Sequence, residues 1–190
     1  MISFRVKGCA VRIYFSFFVF NALIFMLRDS RLMLAFYTAC AVHESGHIIA
    51  LLTCGGRVNA VELSGAGICI IMRKGGIVPV KNSLFVLLSG PAANIIVFLI
   101  VKLSGCGGDF PLIDLMAAVY NMLPYRSLDG GAVIALLTEG TASERAVNAL
   151  LNAVKLTLVI CAAAAAYLCG AAAVPLLIAS VALFIGDIRR

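Results

Sequence analysis

Long apolar runs separated by short polar clusters set the plan of this chain from end to end. The first run, Ile13 to Leu27, follows a basic start (Arg5, Lys7, Arg12) and is closed by Arg28-Asp29-Ser30-Arg31. With no small-x-small cleavage site behind it, it predicts an uncleaved membrane helix and not a secretory leader. A second span covers about Leu32 to Thr53 and stops at Cys54-Gly55-Gly56, glycine being the usual residue just past a helix end. A third runs from Ser83 to Leu103 and leads into a glycine-rich turn, Ser104–Asp109. A fourth, Phe110 to Leu123, is short of the ~20 residues that a lipid-exposed span requires, and it breaks at Pro124 and Asp129-Gly130-Gly131. Broken backbone at membrane depth is tolerated only in protein or beside a wet cavity, so this place is a functional candidate. Thr141-Ala-Ser-Glu144 reads as a capping box restarting a helix. That helix carries a polar stripe, Arg145, Asn148, Asn152 and Lys155, and Lys155 reads as snorkelling to the interface. From Leu156 to Gly186 the chain is apolar: one long helix, or two separated by Gly170 and Pro175.

Arg57 to Val80 has a different texture. Val58–Leu63 and Ile68–Met72 are rich in β-branched and apolar residues, Ser64-Gly65-Ala66-Gly67 between them is a turn signal, and Gly75-Gly76 and Pro79 end the segment. The expected fold is therefore an all-α polytopic membrane protein of about six transmembrane helices. A short membrane-associated β-hairpin lies between helices 2 and 3, and the 190 residues form a single domain.

Composition agrees with that pattern. Hydrophobic residues make up 63% and charged residues 13% of the chain, against roughly 45–50% and about 25% in soluble domains. Mean hydropathy is +1.08. The net charge of +6 is scattered in small groups, which excludes a nucleic-acid surface and fits cytoplasmic loop bias. Seven cysteines without a Cys-x-x-Cys pair read as small buried hydrophobes. With six spans and both termini cytoplasmic, the Met1–Arg12, Gly55–Asn82 and Tyr125–Arg145 segments and the tail carry most of the basic residues. Spans two and four then run in the same direction, bringing their C-terminal ends to one depth near the cytoplasmic face.

The chemistry sits in span two. His43-Glu44-Ser-Gly-His47 holds the only two histidines of the chain, at the i, i+4 spacing that aims both from one helix face at one ion. Glu44 beside them suits a general base toward water at the metal and then a proton donor to the departing amine. A catalytic zinc takes three protein ligands, so a third must come from elsewhere, either an oxygen ligand or a lone cysteine. Glu62, Asp109, Asp114, Asp129 and Glu139 are the other acids in or near the apolar runs. Asp129 stands in the helix break at the matching depth, whereas Asp114 falls toward the outer half.

Three stretches together resemble the site-2 protease family of intramembrane zinc metalloproteases: His43-Glu44-Ser-Gly-His47, Ser89-Gly90-Pro91-Ala92-Ala93-Asn94, and Asn121-x-x-Pro124-x-x-x-Leu128-Asp129-Gly130. Among its branches the stage IV sporulation protein FB type is the most similar. The resemblance implies one zinc ion per chain held by His43, His47 and Asp129, with Glu44 as catalytic acid/base. It also implies that Asn121, Pro124 and Asn94 shape the site or the substrate path. The implied substrate is a protein with a membrane-associated or pro-sequence segment, a sporulation sigma-factor precursor in that branch. The implied setting is a bacterial inner or forespore-type membrane, with lipid and inhibitory membrane proteins as partners. No PDZ or CBS domain is expected within these residues. The alternatives are a non-catalytic zinc-binding scaffold or carrier, and a protease acting on another membrane-bound regulator. Retention of Glu44 and the lack of an internal repeat favour the peptidase.

Overall fold

The computed structural model describes residues 2–6, 9–27, 30–64, 67–72, 79–105, 110–170 and 174–188. The hairpin turn at residues 65–66, the Gly75-Gly76 break and residues 106–109 of the glycine-rich turn lie outside them. The chain divides into two compact units, Met1–Ala118 and Val119–Arg190.

The first unit contains a four-stranded sheet, β1 (Ile2–Val6), β2 (Cys9–Ile13), β3 (Val58–Ser64) and β4 (Gly67–Met72), in that spatial order. β3 and β4 are the expected hairpin, antiparallel from Ser64↔Gly67 to Val58↔Met72 with an irregularity between Val58 and Ala60. The N-terminal hairpin β1–β2 is a correction. Ile-Ser-Phe-Arg-Val alternates apolar and polar positions with the period of a strand, and in Cys-Ala-Val-Arg-Ile Arg12 stands between Val11 and Ile13, although the same basic residues suit a charged leader to a helix. β2 pairs with β3 in parallel register, and Arg12 stands opposite Glu62 with an ion pair of 2.6 Å. The Tyr14 amide donates to Leu63 O at 2.9 Å, leading the sheet into the helices.

Those helices are α1 (Phe15–Leu27), α2 (Ser30–Thr53), α3 (Val80–Leu103) and α4 (Phe110–Asn121), the last reaching into the second unit. α2 ends as its sequence foretells: Gly55 takes φ +75° and the Gly56 amide donates back to Leu51 O at 2.9 Å. α2 and α3 pack closely because small residues meet. A Cβ on Gly46 would stand 2.5 Å from the carbonyl oxygen of Ser89 and 2.9 Å from the Ala93 Cβ. The buried side of α3 is Val86, Gly90, Pro91 and Asn94, while Phe85, Ile96, Ile100 and Leu103 face outward. Small and polar groups inside, large apolar groups outside, is the reverse of a soluble helix and the arrangement that lipid favours.

The second unit holds α5 (Asp129–Thr138), α6 (Glu144–Cys169) and α7 (Val174–Ile188). Residues 122–128 separate α4 from α5, so the expected break is present. The long apolar tail is two helices, divided at Gly170 with φ +66°. The capping box is not formed. Ser143 precedes the first residue Glu144, Thr141 Oγ donates to Thr138 O, and Glu144 Oε2 accepts the Gly140 amide. Lys155 does not snorkel: it is buried and paired with Asp187. Among the described residues two helices, α3 and residues Glu144–Leu168 of α6, are long and apolar enough to cross a membrane. Six crossings are more than these lengths show.

Candidate metal centre

On α2, His43 and His47 face the same way, and their Nε2 atoms approach to 3.1 Å. A tetrahedral zinc ~2.0–2.1 Å from each nitrogen would hold them about 3.3–3.4 Å apart, so the pair already has nearly the required spacing. The tautomer of His47 is set by its other nitrogen. Nδ1 lies 2.7 Å from Val86 O on α3, and since a carbonyl only accepts, Nδ1 carries the hydrogen. Nε2 is thereby left with its lone pair directed at the shared point. A backbone carbonyl orienting a ligand imidazole is the usual outer partner of a metal histidine. Ser89 Oγ donates to the same carbonyl at 2.6 Å.

Gly90 explains the Ser89-Gly90-Pro91 stretch. A Cβ there would stand 2.3 Å from His47 Nε2 and 2.5 Å from Cε1, inside the ring's own volume. The glycine is room for the imidazole, and its conformation is ordinary helix. Asn94, one turn on, is fully buried and its Nδ2 donates to Ala39 O on α2 at 3.3 Å. Within the first unit it joins α3 to α2 one helical turn before His43. Its Oδ1 has no hydrogen-bond partner among the described residues.

Asp129 opens α5, with Leu128 extended before it (φ −114°, ψ 160°), so its carboxylate sits where the helix dipole favours negative charge. Gly130 and Gly131 do not unwind the helix; both lie within it. They let the preceding chain pass close: a Cβ on Gly130 would be 2.2 Å from Met122 O, and one on Gly131 2.1 Å from Tyr125 O. His43, His47 and Asp129 make up a group that could hold a metal ion. Glu44 is half-buried on α2, next to the pair. Asn121 ends α4, and Pro124 lies in the break that leads to Asp129. Asp114 is completely buried in α4, so its depth in the sequence did not foretell how enclosed it is.

The second unit also contains a buried ion pair whose acidic partner sequence reasoning missed. Lys155 Nζ on α6 pairs with Asp187 Oδ2 on α7, with side-chain exposures of only 5% and 6%. Asp187 Oδ1 accepts the backbone amide of Arg126 at 2.7 Å. Together with Asn148, Asn152 and Phe184 these residues line a cavity of about 340 Å³ within the second unit. The polar stripe on α6 was the available signal; Asp187, near the end of the chain, was not recognisable as its partner. Among the described residues Cys40, Cys54 and Cys161 are free thiols; Cys40 and Cys54 are half-buried, but Cys161 is exposed on α6 and is not the small buried hydrophobe expected of it.

No family model matches the chain, and none of the curated proteins compared with it matches either. Solved structures do: over 99% of its length and 94% of the other's, with a TM-score of 0.69 and 17% identity, the chain has the fold of a site-2 protease from Methanocaldococcus jannaschii.

Proposed function

We propose that this protein is a zinc metalloprotease of the site-2 protease type, hydrolysing a peptide bond of a protein substrate within or beside the membrane. The observation that carries the reading is the convergence of the two histidine Nε2 atoms at 3.1 Å, with His47 fixed in the ligating tautomer by Val86 O. The fold shared with the archaeal protease supports it. His43, His47 and Asp129 would hold the ion, whose Lewis acidity polarises a scissile carbonyl and makes water nucleophilic at neutral pH. Glu44 takes the proton of the attacking water and returns it to the departing amine. Val86 O and Gly90 keep the His47 ring in place while this happens. Asn121, Pro124 and Asn94 shape the approach to the site. β1 and β4 are the outer strands of the sheet, and β4 is our candidate for receiving the substrate as an added strand, which would keep it extended for hydrolysis.

In this reading the chain crosses the membrane six times with both termini cytoplasmic, on the strength of its basic-residue distribution. A sigma-factor precursor as substrate, and silencing by membrane partners, rest on the sequence resemblance alone. Co-expression with membrane-anchored and pro-sequence substrates, comparing Glu44→Gln with the parent, tests the reading. Loss of processing by about 10²-fold or more in the variant, with zinc retained, is expected. Equal processing by both would leave a zinc-binding scaffold instead.

A further inference from the structure

The break between α4 and α5 is seven residues long, and it has to present Asp129 at a defined place. Few of its backbone groups bond within it: the Tyr125 amide donates to Leu123 O at 2.9 Å, and the Leu128 amide to Tyr125 O at 2.8 Å. The Arg126 amide, three residues before Asp129, is taken by a side chain 61 residues away, Asp187 Oδ1. The other oxygen of that carboxylate holds Lys155 Nζ. An isolated carboxylate in so enclosed a place would be very costly, and Lys155 is the partner that offsets that cost. The same ammonium lies 5.9 Å from the centre of the Tyr125 ring, itself buried, so the residue before Arg126 is held as well. From the other side Gly131 admits the Tyr125 carbonyl with no space to spare.

From this geometry we infer that Lys155 and Asp187 are positioning residues for the metal carboxylate. Asp187, held in place by Lys155, fixes the Arg126 amide and thereby the start of α5 and Asp129. The inference rests on the proposed role of Asp129 as a zinc ligand. What distinguishes it from a merely stabilising ion pair is the acceptor: the backbone amide needs an oxygen at position 187, and the charge serves to support that oxygen.

Two double variants separate these roles. Lys155→Met with Asp187→Asn removes both charges and keeps the acceptor; Lys155→Met with Asp187→Leu removes both charges and the acceptor. Replacing a buried ion pair by uncharged groups of similar size is often neutral for stability, so the asparagine form is expected to unfold near the parent midpoint and the leucine form, which leaves the Arg126 amide without an acceptor, somewhat below it. Zinc affinity, measured by chelator competition in detergent, should stay near parental in the asparagine form. It should fall about 10–100-fold in the leucine form, the range for loss of an outer partner of a metal ligand. The absorption bands of the cobalt-substituted protein should shift only in the leucine form. Arg126→Pro removes the same hydrogen bond from the donor side, leaving the ion pair intact, and should reproduce the loss even where the leucine form does not fold. Equal zinc affinity in the two double variants, or parental affinity in Arg126→Pro, overturns the inference. If Asp129→Asn binds zinc as tightly as the parent, the metal-site reading has failed and the positioning role falls with it.

Discussion

Gly90→Ala is the smallest change that should disable the proposed centre without touching a ligand. The added methyl carbon would lie 2.3 Å from His47 Nε2, 2.5 Å from Cε1 and 2.8 Å from Cδ2. Ordinary contact begins near 3.4 Å, so the ring must retreat by about 1.1 Å or α2 and α3 must separate by a similar amount. Metal sites hold their ligand distances to about ±0.2 Å, so the displacement is several times the tolerance. Retreat also stretches the 2.7 Å bond from Nδ1 to Val86 O, which removes the fixed tautomer. The variant should therefore bind zinc at least about 100-fold more weakly, the upper end of what orienting partners contribute. Overpacking should also lower stability by roughly 1–3 kcal/mol. Gly186→Ala, on α7 with no atom within 4 Å of the new carbon, is the matched control and should bind zinc as the parent does. The measurement is zinc competition against a chromophoric chelator on folded, detergent-solubilised protein, with substrate processing followed in parallel. Parental zinc affinity and processing in Gly90→Ala would refute the argument, because the imidazole could not then occupy the place described.

Other expectations concern the frame around the centre. Asn94→Leu removes a buried oxygen that has no partner among the described residues and a long 3.3 Å bond, so the thermal midpoint should hold or rise. Processing should nonetheless fall at least about tenfold if the carboxamide serves the substrate path; an unchanged rate would take Asn94 out of the site. Proline at Ile70 or Ile71 of β4, with helix content retained, should reduce processing by interrupting the outer strand, and a parental rate would dismiss strand addition.

The sequence displayed some of these features openly and hid others for physical reasons. His43 and His47 were readable because helical spacing alone aims them together, and the end of α2 was readable because Gly55 adopts a conformation that glycine favours. The β3–β4 hairpin followed from its β-branched runs. The N-terminal hairpin was missed because Arg5 and Arg12, which alternate with apolar residues in β1 and β2, also look like the charged lead of a membrane helix. Lys155 was misread because a lone cation in an apolar helix points to the interface unless its partner is known, and Asp187 lies 32 residues further on. Gly90, Gly130 and Gly131 were visible as motif members, but their task as space for His47 Nε2, Met122 O and Tyr125 O depends on what stands opposite.

The parallel pairing of β2 with β3 has a consequence for how the first unit can be threaded. The chain leaves the sheet at Ile13, makes α1 and α2, and comes back to the neighbouring strand at Val58, with Ala10 opposite Ala60. In the proposed membrane reading a sheet cannot straddle the hydrocarbon layer with open edges, so the departure and the return would lie on one face of the bilayer. The number of crossings between them would then be even, whichever face that is. Under that reading the start of β1, the end of α2 and the β3–β4 hairpin share one side, and the hydrogen bonds of the sheet, not the charges of the loops, are what hold them there.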